Sequence, residues 1–351
     1  GNYCRGGAFN SKLLGVHGVA ILPAGMSQER FDWLASIDAD VIKTPGCESN
    51  VKEIFDKTNE LSRDPSCMIF NQFAEMGNHL WHYKVTGAAV AEAFEDARRP
   101  GDRLAGACFT SGSAGTIGCG DYLKEVYPAM KLAVGEAVQC PTILNNGFGD
   151  HRVEGIGDKH VPWIHDVKNT DMVVDVDDND AMALLRLFNE PAGKAQLMDA
   201  GVDPQLVEQL SLMGISGIAN VLCCIKLAKY YELTEHDVVC TVLTDSADMY
   251  RSRLAELTAQ LGEYDAKAAA YDFALHLMGL KTDCMAELGY YDRKRVHNLK
   301  YYTWVEQQGK TTDELDALWY GTEWADVHSQ ADALDELIRA FNEETGVLKG
   351  L

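Results

Sequence analysis

Short apolar runs separated by amphipathic stretches set the pattern of this chain. Runs of strand length stand at residues 19–22, 41–43, 68–70, 104–109, 131–138, 172–176 and 237–243. Helical spacing fills the gaps at 8–16, 30–37, 50–62, 87–97, 120–129 and 218–230, with Ser27 as the cap residue before 30–37 and residues 1–7 as an entry loop. Strands alternating with helices predict a mostly parallel sheet with crossover helices, an α/β fold. Beyond residue 250 no strand signal of similar strength follows. Helical spacing at 250–261, 266–279 and 332–343 predicts a mainly helical extension. The expected division is a partial N-terminal α/β domain over 1–85, a large α/β domain over 86–250, and the extension over 251–351.

Composition narrows the class. A chain of 351 residues, 46% hydrophobic and 24% charged, has the make-up of a globular protein with room for two domains. No apolar run reaches the length of a bilayer span, so no membrane partner is expected. The net charge of −22 argues against nucleic acid, because phosphate backbones need a basic surface; the acid excess reads as solubility. Ten cysteines stand without a C-x-x-C pair or a Cys/His cluster at zinc spacing, so no metal site is expected. Unpatterned thiols fit a reducing cytoplasm, with Cys223 and Cys224 in the core.

Candidate chemistry centres on Thr110, Ser111, Gly112, Ser113, Ala114, Gly115 and Thr116, which follow the strand at 104–109 and precede a helix. Small side chains let a backbone approach a phosphate, while successive N–H groups and the helix dipole hold its charge. Ser113 and Thr116 add hydroxyl donors. Alone, such a turn is shared with many ordinary strand-to-helix connections. It stands in an ordered series, however. Gly1-Asn2, the stretch from Pro23 to Arg30 and Asn71-Gln72-Phe73 come before it; Glu154-Gly155-Ile156-Gly157 and Gly214-Ile215-Ser216-Gly217 come after.

From residue 1 to about 250 this series resembles the cysteine synthase family, the β-replacement group of fold type II pyridoxal-phosphate (PLP) enzymes. The resemblance implies two three-layer α/β domains with the cofactor in the cleft between them. It implies that Ser111, Gly112, Ser113, Ala114, Gly115 and Thr116 hold the phosphate. Asn2 then bonds the 3′-oxygen of PLP, and Gly155 and Gly157 let the backbone run close to the cofactor. Ser216 bonds the ring nitrogen. A hydroxyl leaves that nitrogen largely unprotonated, which favours elimination or replacement at Cβ. Gln72 lines the substrate carboxylate site. Arg5, in a segment that departs from the family pattern, is a candidate carboxylate clamp. Each has a plainer alternative: a turn residue for Asn2, a strand-end polar residue for Gln72, a solvated side chain for Arg5, a helix N-cap for Ser216.

The family's Schiff-base lysine lies upstream of the asparagine loop. The resemblance therefore implies a segment preceding Gly1, a truncated chain, and no catalytic residue within 1–351; Lys12, Lys84 and Lys124 sit outside any matching motif. The long tail, the altered asparagine loop and Asp245-Ser246 resemble the PLP-bearing β subunits of the 2-amino-4-oxopentanoate thiolases. That implies a small amino-acid substrate, 2-amino-4-oxopentanoate, cleaved by coenzyme A to acetyl-CoA and alanine in ornithine breakdown, and a small partner subunit or homodimer. The alternatives are a cysteine synthase-like β-replacement or β-elimination lyase, and a non-catalytic PLP-fold subunit. For coenzyme A the candidate phosphate site is Arg293, Lys294, Arg295 and Lys300, flanked by Tyr290, Tyr291, Tyr301 and Tyr302. The plainer reading pairs these cations with tail carboxylates.

Overall fold

The computed structural model describes residues 1–350. Its N-terminal part runs α1 (Asn2–Leu13), β1 (Val19–Pro23), α2 (Gln28–Ser36), β2 (Asp40–Thr44) and α3 (Lys52–Leu61), with β1 and β2 paired in parallel. The expected loop at 1–7 is helical: Cys4 and Ala8 pack with Leu22, Phe31 and Leu34, and that packing outweighs the poor propensity of Gly6 and Gly7. The expected strand at 68–70 does not form. It has no ladder partner, and Met68 and Phe70 are exposed. Next comes α4 (Met76–Trp81), which passes through a π-helical turn, His82–Thr86, into α5 (Gly87–Ala97).

The main sheet follows: β3 (Arg103–Thr110), α6 (Ile117–Val126), β4 (Lys131–Ala137), the single turn α7 (Thr142–Asn145), β5 (Met172–Val176), α8 (Asp178–Asn189), α9 (Pro191–Asp199), α10 (Pro204–Gln209), α11 (Ile215–Tyr230) and β6 (Asp237–Cys240). Asp177 caps α8 by accepting from the Asn179 N–H, which explains the acidic turn there. The tail adds α12 (Arg251–Leu261), α13 (Ala266–Asp272), β7 (Met285–Glu287), α14 (Tyr290–Lys300), α15 (Thr312–Tyr320), α16 (Glu323–Ser329) and α17 (Ala331–Thr345).

Strand order is β6-β3-β4-β5-β7, the first four parallel and β7 antiparallel to β5. One face is covered by α8 and α11, through Leu184, Leu187, Ile218 and Leu222; the other by α5, α6 and α14, through Phe94, Ile117, Leu123 and Val296. The result is a three-layer α/β core. Strand β7 is the element the tail's sequence hides. Three residues are too few to show alternation, and pairing with a formed edge decides them. A separate cluster joins Phe55 and Phe73 to Trp163, Trp304, Leu318 and Trp324, tying the N-terminal part to the tail.

Two buried carboxyls lie side by side where β4 meets β5, Glu136 opposite Asp175. The N–H groups of Ile143 and Leu144 donate to Glu136 at 2.9 and 2.8 Å. Burial raises both acids above the ordinary carboxylate range, and Glu136 raises Asp175 further. A raised folded-state value means the folded chain holds extra proton in this pair from about pH 4 upward, so the pair's contribution falls as pH rises. Between pH 5 and pH 9 the wild type should therefore lose about 1 kcal/mol or more relative to Asp175→Asn in urea unfolding. Parallel pH curves for the two proteins would refute this.

Candidate active site

Strand β3 delivers the glycine–serine turn. The Thr110 N–H donates to Asn220 of α11 at 2.8 Å, and the Ser111 N–H donates to the Gly135 carbonyl at 2.8 Å, so the strand end is fixed on both sides. Residues 111–116 then turn into α6. Ala114 is held at φ 66°, the left-handed region that side chains rarely adopt. Among the described residues the N–H groups of Gly112, Ser113, Ala114 and Thr116 take no hydrogen-bond partner. Unpaired donors at the start of a helix suit a phosphate.

Two other segments close on this loop. A Cβ at Gly112 would stand 2.5 Å from the Gly155 carbonyl oxygen, and the Gly157 N–H donates to the Ser111 carbonyl at 2.8 Å. Gly155 and Gly157 both have left-handed φ, 96° and 77°. From the other side, Asn78 donates through Nδ2 to Ser113 Oγ and to the Gln72 carbonyl, each at 3.0 Å. Ser216 is buried in the first turn of α11, and a Cβ on Gly155 would come within 3.7 Å of it. Its hydroxyl makes no hydrogen bond among the described residues. Gly214, not Ser216, is the N-cap, so the plainer reading of Ser216 as a helix cap fails.

Ser111, Gly112, Ser113, Ala114, Gly115, Thr116, Gly155, Gly157 and Ser216 therefore converge, with Gln72 linked through Asn78. Gly115 needs a different reason from the expected one. A side chain there would strike the Asn78 amide, 2.4 Å from the Cβ position, rather than the open cradle. Arg5 does not stand in a loop. It lies on α1, where its guanidinium stacks 4.7 Å over Trp33 and reaches Asn2 at 3.3 Å. Asn2 is engaged too, donating to Asp245 at 3.0 Å and accepting from Arg30 at 2.9 Å.

That engagement belongs to a buried network which sequence reasoning did not assign. Arg30, 1% exposed, also donates to Glu154 at 2.8 Å, Asp245 at 3.2 Å and the Tyr250 hydroxyl at 2.5 Å. Glu154 further accepts from Ser27 N–H and Arg253, both at 2.9 Å. Burial alone would raise the Glu154 carboxyl; Arg30 and Arg253 outweigh it and hold it below its ordinary value. Since Glu154 precedes Gly155, and the Asp245 carbonyl accepts from Gly214 N–H at 2.8 Å, the network braces both the glycine turn and the start of α11. The usable signal in sequence was charge where the family pattern is uncharged: Glu154 for glutamine and Asp245 for proline.

The tail cations are engaged internally. Arg293 pairs with Asp171 at 3.0 Å, and Arg295 donates to the Ile143 carbonyl at 2.8 Å. Lys294 lies over the Trp319 and Tyr320 rings. Lys300 is fully buried, donating to the Trp163 and His165 carbonyls. The expected coenzyme A phosphate site does not stand open there. Among the other lysines considered, Lys84 pairs with Asp332 and Lys124 with Asp171.

A three-layer α/β sheet with a glycine–serine turn at a strand's carboxyl end is the architecture of the fold type II PLP enzymes. The chain belongs to the pyridoxal-phosphate dependent enzyme family, whose sequence profile matches residues 1–245. A probable cysteine synthase of Bacillus subtilis is 28% identical over 254 residues, covering 72% of this chain and 74% of the relative. Cysteine synthase B of Campylobacter jejuni is 28% identical over 241 residues, 68% of this chain and 71% of the relative. Among solved structures, a hydrogen sulfide-producing enzyme of Fusobacterium nucleatum aligns with TM-score 0.60 at 22% identity over 71% of this chain and 77% of its own. Cysteine synthase of Entamoeba histolytica aligns with TM-score 0.60 at 19% identity over 78% and 74%. Pyridoxal 5′-phosphate is the cofactor of this family. No helix among the described residues is long and apolar enough to cross a membrane.

Proposed function

We propose that this protein is a PLP-dependent enzyme of the cysteine synthase type, replacing or eliminating a leaving group at Cβ of an O-activated serine or of cysteine. Bound PLP supplies the electron sink for that chemistry. The free N–H groups of residues 112–114 and 116 suit its phosphate, and the unengaged Ser216 hydroxyl suits its ring nitrogen. The observation that carries the reading is Ser216: a neutral hydroxyl, not a carboxylate, faces the glycine turn at the head of α11. A hydroxyl there keeps no proton on the pyridine nitrogen, which suits departure of a Cβ substituent. Gln72 is suited to a substrate carboxylate. Asn2 and Arg5 act in this reading through the Arg30 network and the α1–α2 packing. Relatives named cysteine synthase support the same choice.

The thiolase reading, with coenzyme A and a partner subunit, had its own support in the tail cations, which are engaged in internal contacts. A homodimer and a cytoplasmic setting accord with the cysteine synthase reading. The test uses protein isolated from its native source. With O-acetylserine and sulfide it should form cysteine. Ser216→Ala should reduce turnover while weakening PLP by about tenfold or less, since one hydrogen bond is worth about 0.5–1.5 kcal/mol. Cleavage of 2-amino-4-oxopentanoate dependent on coenzyme A, with no cysteine formed, would overturn the proposal in favour of the thiolase. Silence with every amino acid despite bound PLP would overturn it in favour of a non-catalytic subunit.

A further inference from the structure

Behind the glycine–serine turn, on the side away from Gly155, three side chains that share no sequence spacing meet. His79 of α4 and Asp121 of α6 are fully buried, and His328 of α16 is partly buried. His79 Nε2 lies 2.9 Å from His328 Nε2 and 3.5 Å from Asp121 Oδ2, and one ligand atom from each residue falls within 4.8 Å of the other two. Ligands about 2.0–2.2 Å from a tetrahedral ion stand about 3.4 Å apart, so these separations need little adjustment.

The outer contacts of Asp121 and His328 point the same way; the far nitrogen of His79 is buried without a partner. Asp121 Oδ1 accepts from Asn169 at 2.8 Å, which leaves Oδ2 aimed at the histidines with no hydrogen-bond partner of its own. His328 Nδ1 lies 3.6 Å from Glu125, whose other oxygen accepts from the Tyr83 hydroxyl at 2.7 Å. The carboxylate stands beyond hydrogen-bond distance but on the far side of the ring, where its charge favours the proton on Nδ1 and leaves Nε2 toward the group. Rings of Tyr83 and Trp324 wall the group, the first stacked 3.8 Å from His328 and the second 5.0 Å from His79. A buried carboxylate oxygen with no donor is costly, and Asp121 Oδ2 is such an atom.

We propose that His79, Asp121 and His328 bind one divalent transition-metal ion of the zinc class, which clamps tail helix α16 onto α4 and α6 behind the phosphate loop. Two imidazoles and a carboxylate suit zinc and cobalt better than the hard cations, which prefer all-oxygen shells. A fourth position is left for water. The role is structural: His79 follows Asn78, which bonds Ser113 and abuts Gly115, so an ion here fixes the loop's outer wall. No Cys/His spacing announces this site, because its ligands come from helices far apart in the chain.

The test is metal binding by the whole protein after chelator treatment and dialysis. Titration with CoCl2 should give visible absorption that saturates at one equivalent and is abolished by one equivalent of ZnCl2, and zinc should raise the melting temperature. His328→Ala and Asp121→Asn should each weaken zinc at least a hundredfold. Should either variant fail to fold, Glu125→Gln, at an exposed position, decides: a loss of about tenfold supports the site and unchanged affinity overturns it. Wild-type protein that takes up neither ion stoichiometrically, or a His328→Ala variant that binds as the wild type does, would also overturn it and leave a plain histidine–histidine hydrogen bond.

Discussion

Arg30→Met is expected to destabilise this protein by about 3–5 kcal/mol in urea unfolding at neutral pH. The guanidinium is the cation shared by two buried carboxylates, and they do not lose it equally. Glu154 keeps Arg253 and the Ser27 N–H. Asp245 keeps only the Asn2 amide and the Tyr250 hydroxyl, neither of them charged. An uncompensated buried charge costs more than the pair contributed. Arg30→Lys should recover little, because one ammonium cannot reach Glu154, Asn2, Asp245 and Tyr250 together. The loss should shrink in acid. Glu154 is held below its ordinary value, so its contribution is present above about pH 4.3 and disappears as pH falls through the folded-state value. PLP affinity should fall with stability, since the network braces Gly155 and the head of α11. A loss under about 1 kcal/mol would mean that water replaces the guanidinium and that the network is not a brace.

Gly112→Val should cost more than tenfold in PLP affinity and about 1–3 kcal/mol in stability. The first added carbon would stand 2.5 Å from a backbone carbonyl oxygen, that of Gly155, which cannot rotate away as a side-chain tip can. The turns at 111–113 and 155–157 would have to part, breaking the Gly157-to-Ser111 hydrogen bond and opening the cradle. Gly115 is the internal comparison. There the obstacle is the end of the Asn78 side chain, so Gly115→Ala should be milder than Gly112→Ala. Fluorescence titration with PLP reads both. Equal affinity in wild type and Gly112→Ala would show that contact between the two turns is not needed to hold the cofactor.

The three-layer sheet and its loop were legible from residue pattern because both are local. The runs at 104–109, 131–138 and 172–176 are long, apolar and bounded by turn residues, and they became β3, β4 and β5 almost without change. The glycine–serine turn and the glycine at 155 were legible because a backbone that must approach closely or take positive φ restricts its residue type. Where the signal depended on a partner, it failed. The run at 68–70 had strand composition but no edge to join. Residues 285–287 had no strand pattern and became β7 because an edge was present.

Sequence by itself thus determined the family, the cofactor it implies, the alternation of the sheet and the glycine–serine turn at the end of β3. Tertiary structure alone decided which charges are buried and what they meet. Arg5 was expected at the substrate carboxylate and Asn2 at the cofactor's 3′-oxygen; the fold turned one onto Trp33 and engaged the other with Arg30 and Asp245. The tail cations were candidates for a ligand; the fold paired Arg293 with Asp171 and buried Lys300 among carbonyls. The physical reason is one of range. Backbone geometry and apolar periodicity act over a few residues and leave a trace in order and spacing. A charge is satisfied by whatever the finished fold brings within about 4 Å, and nothing in its neighbours along the chain records that partner.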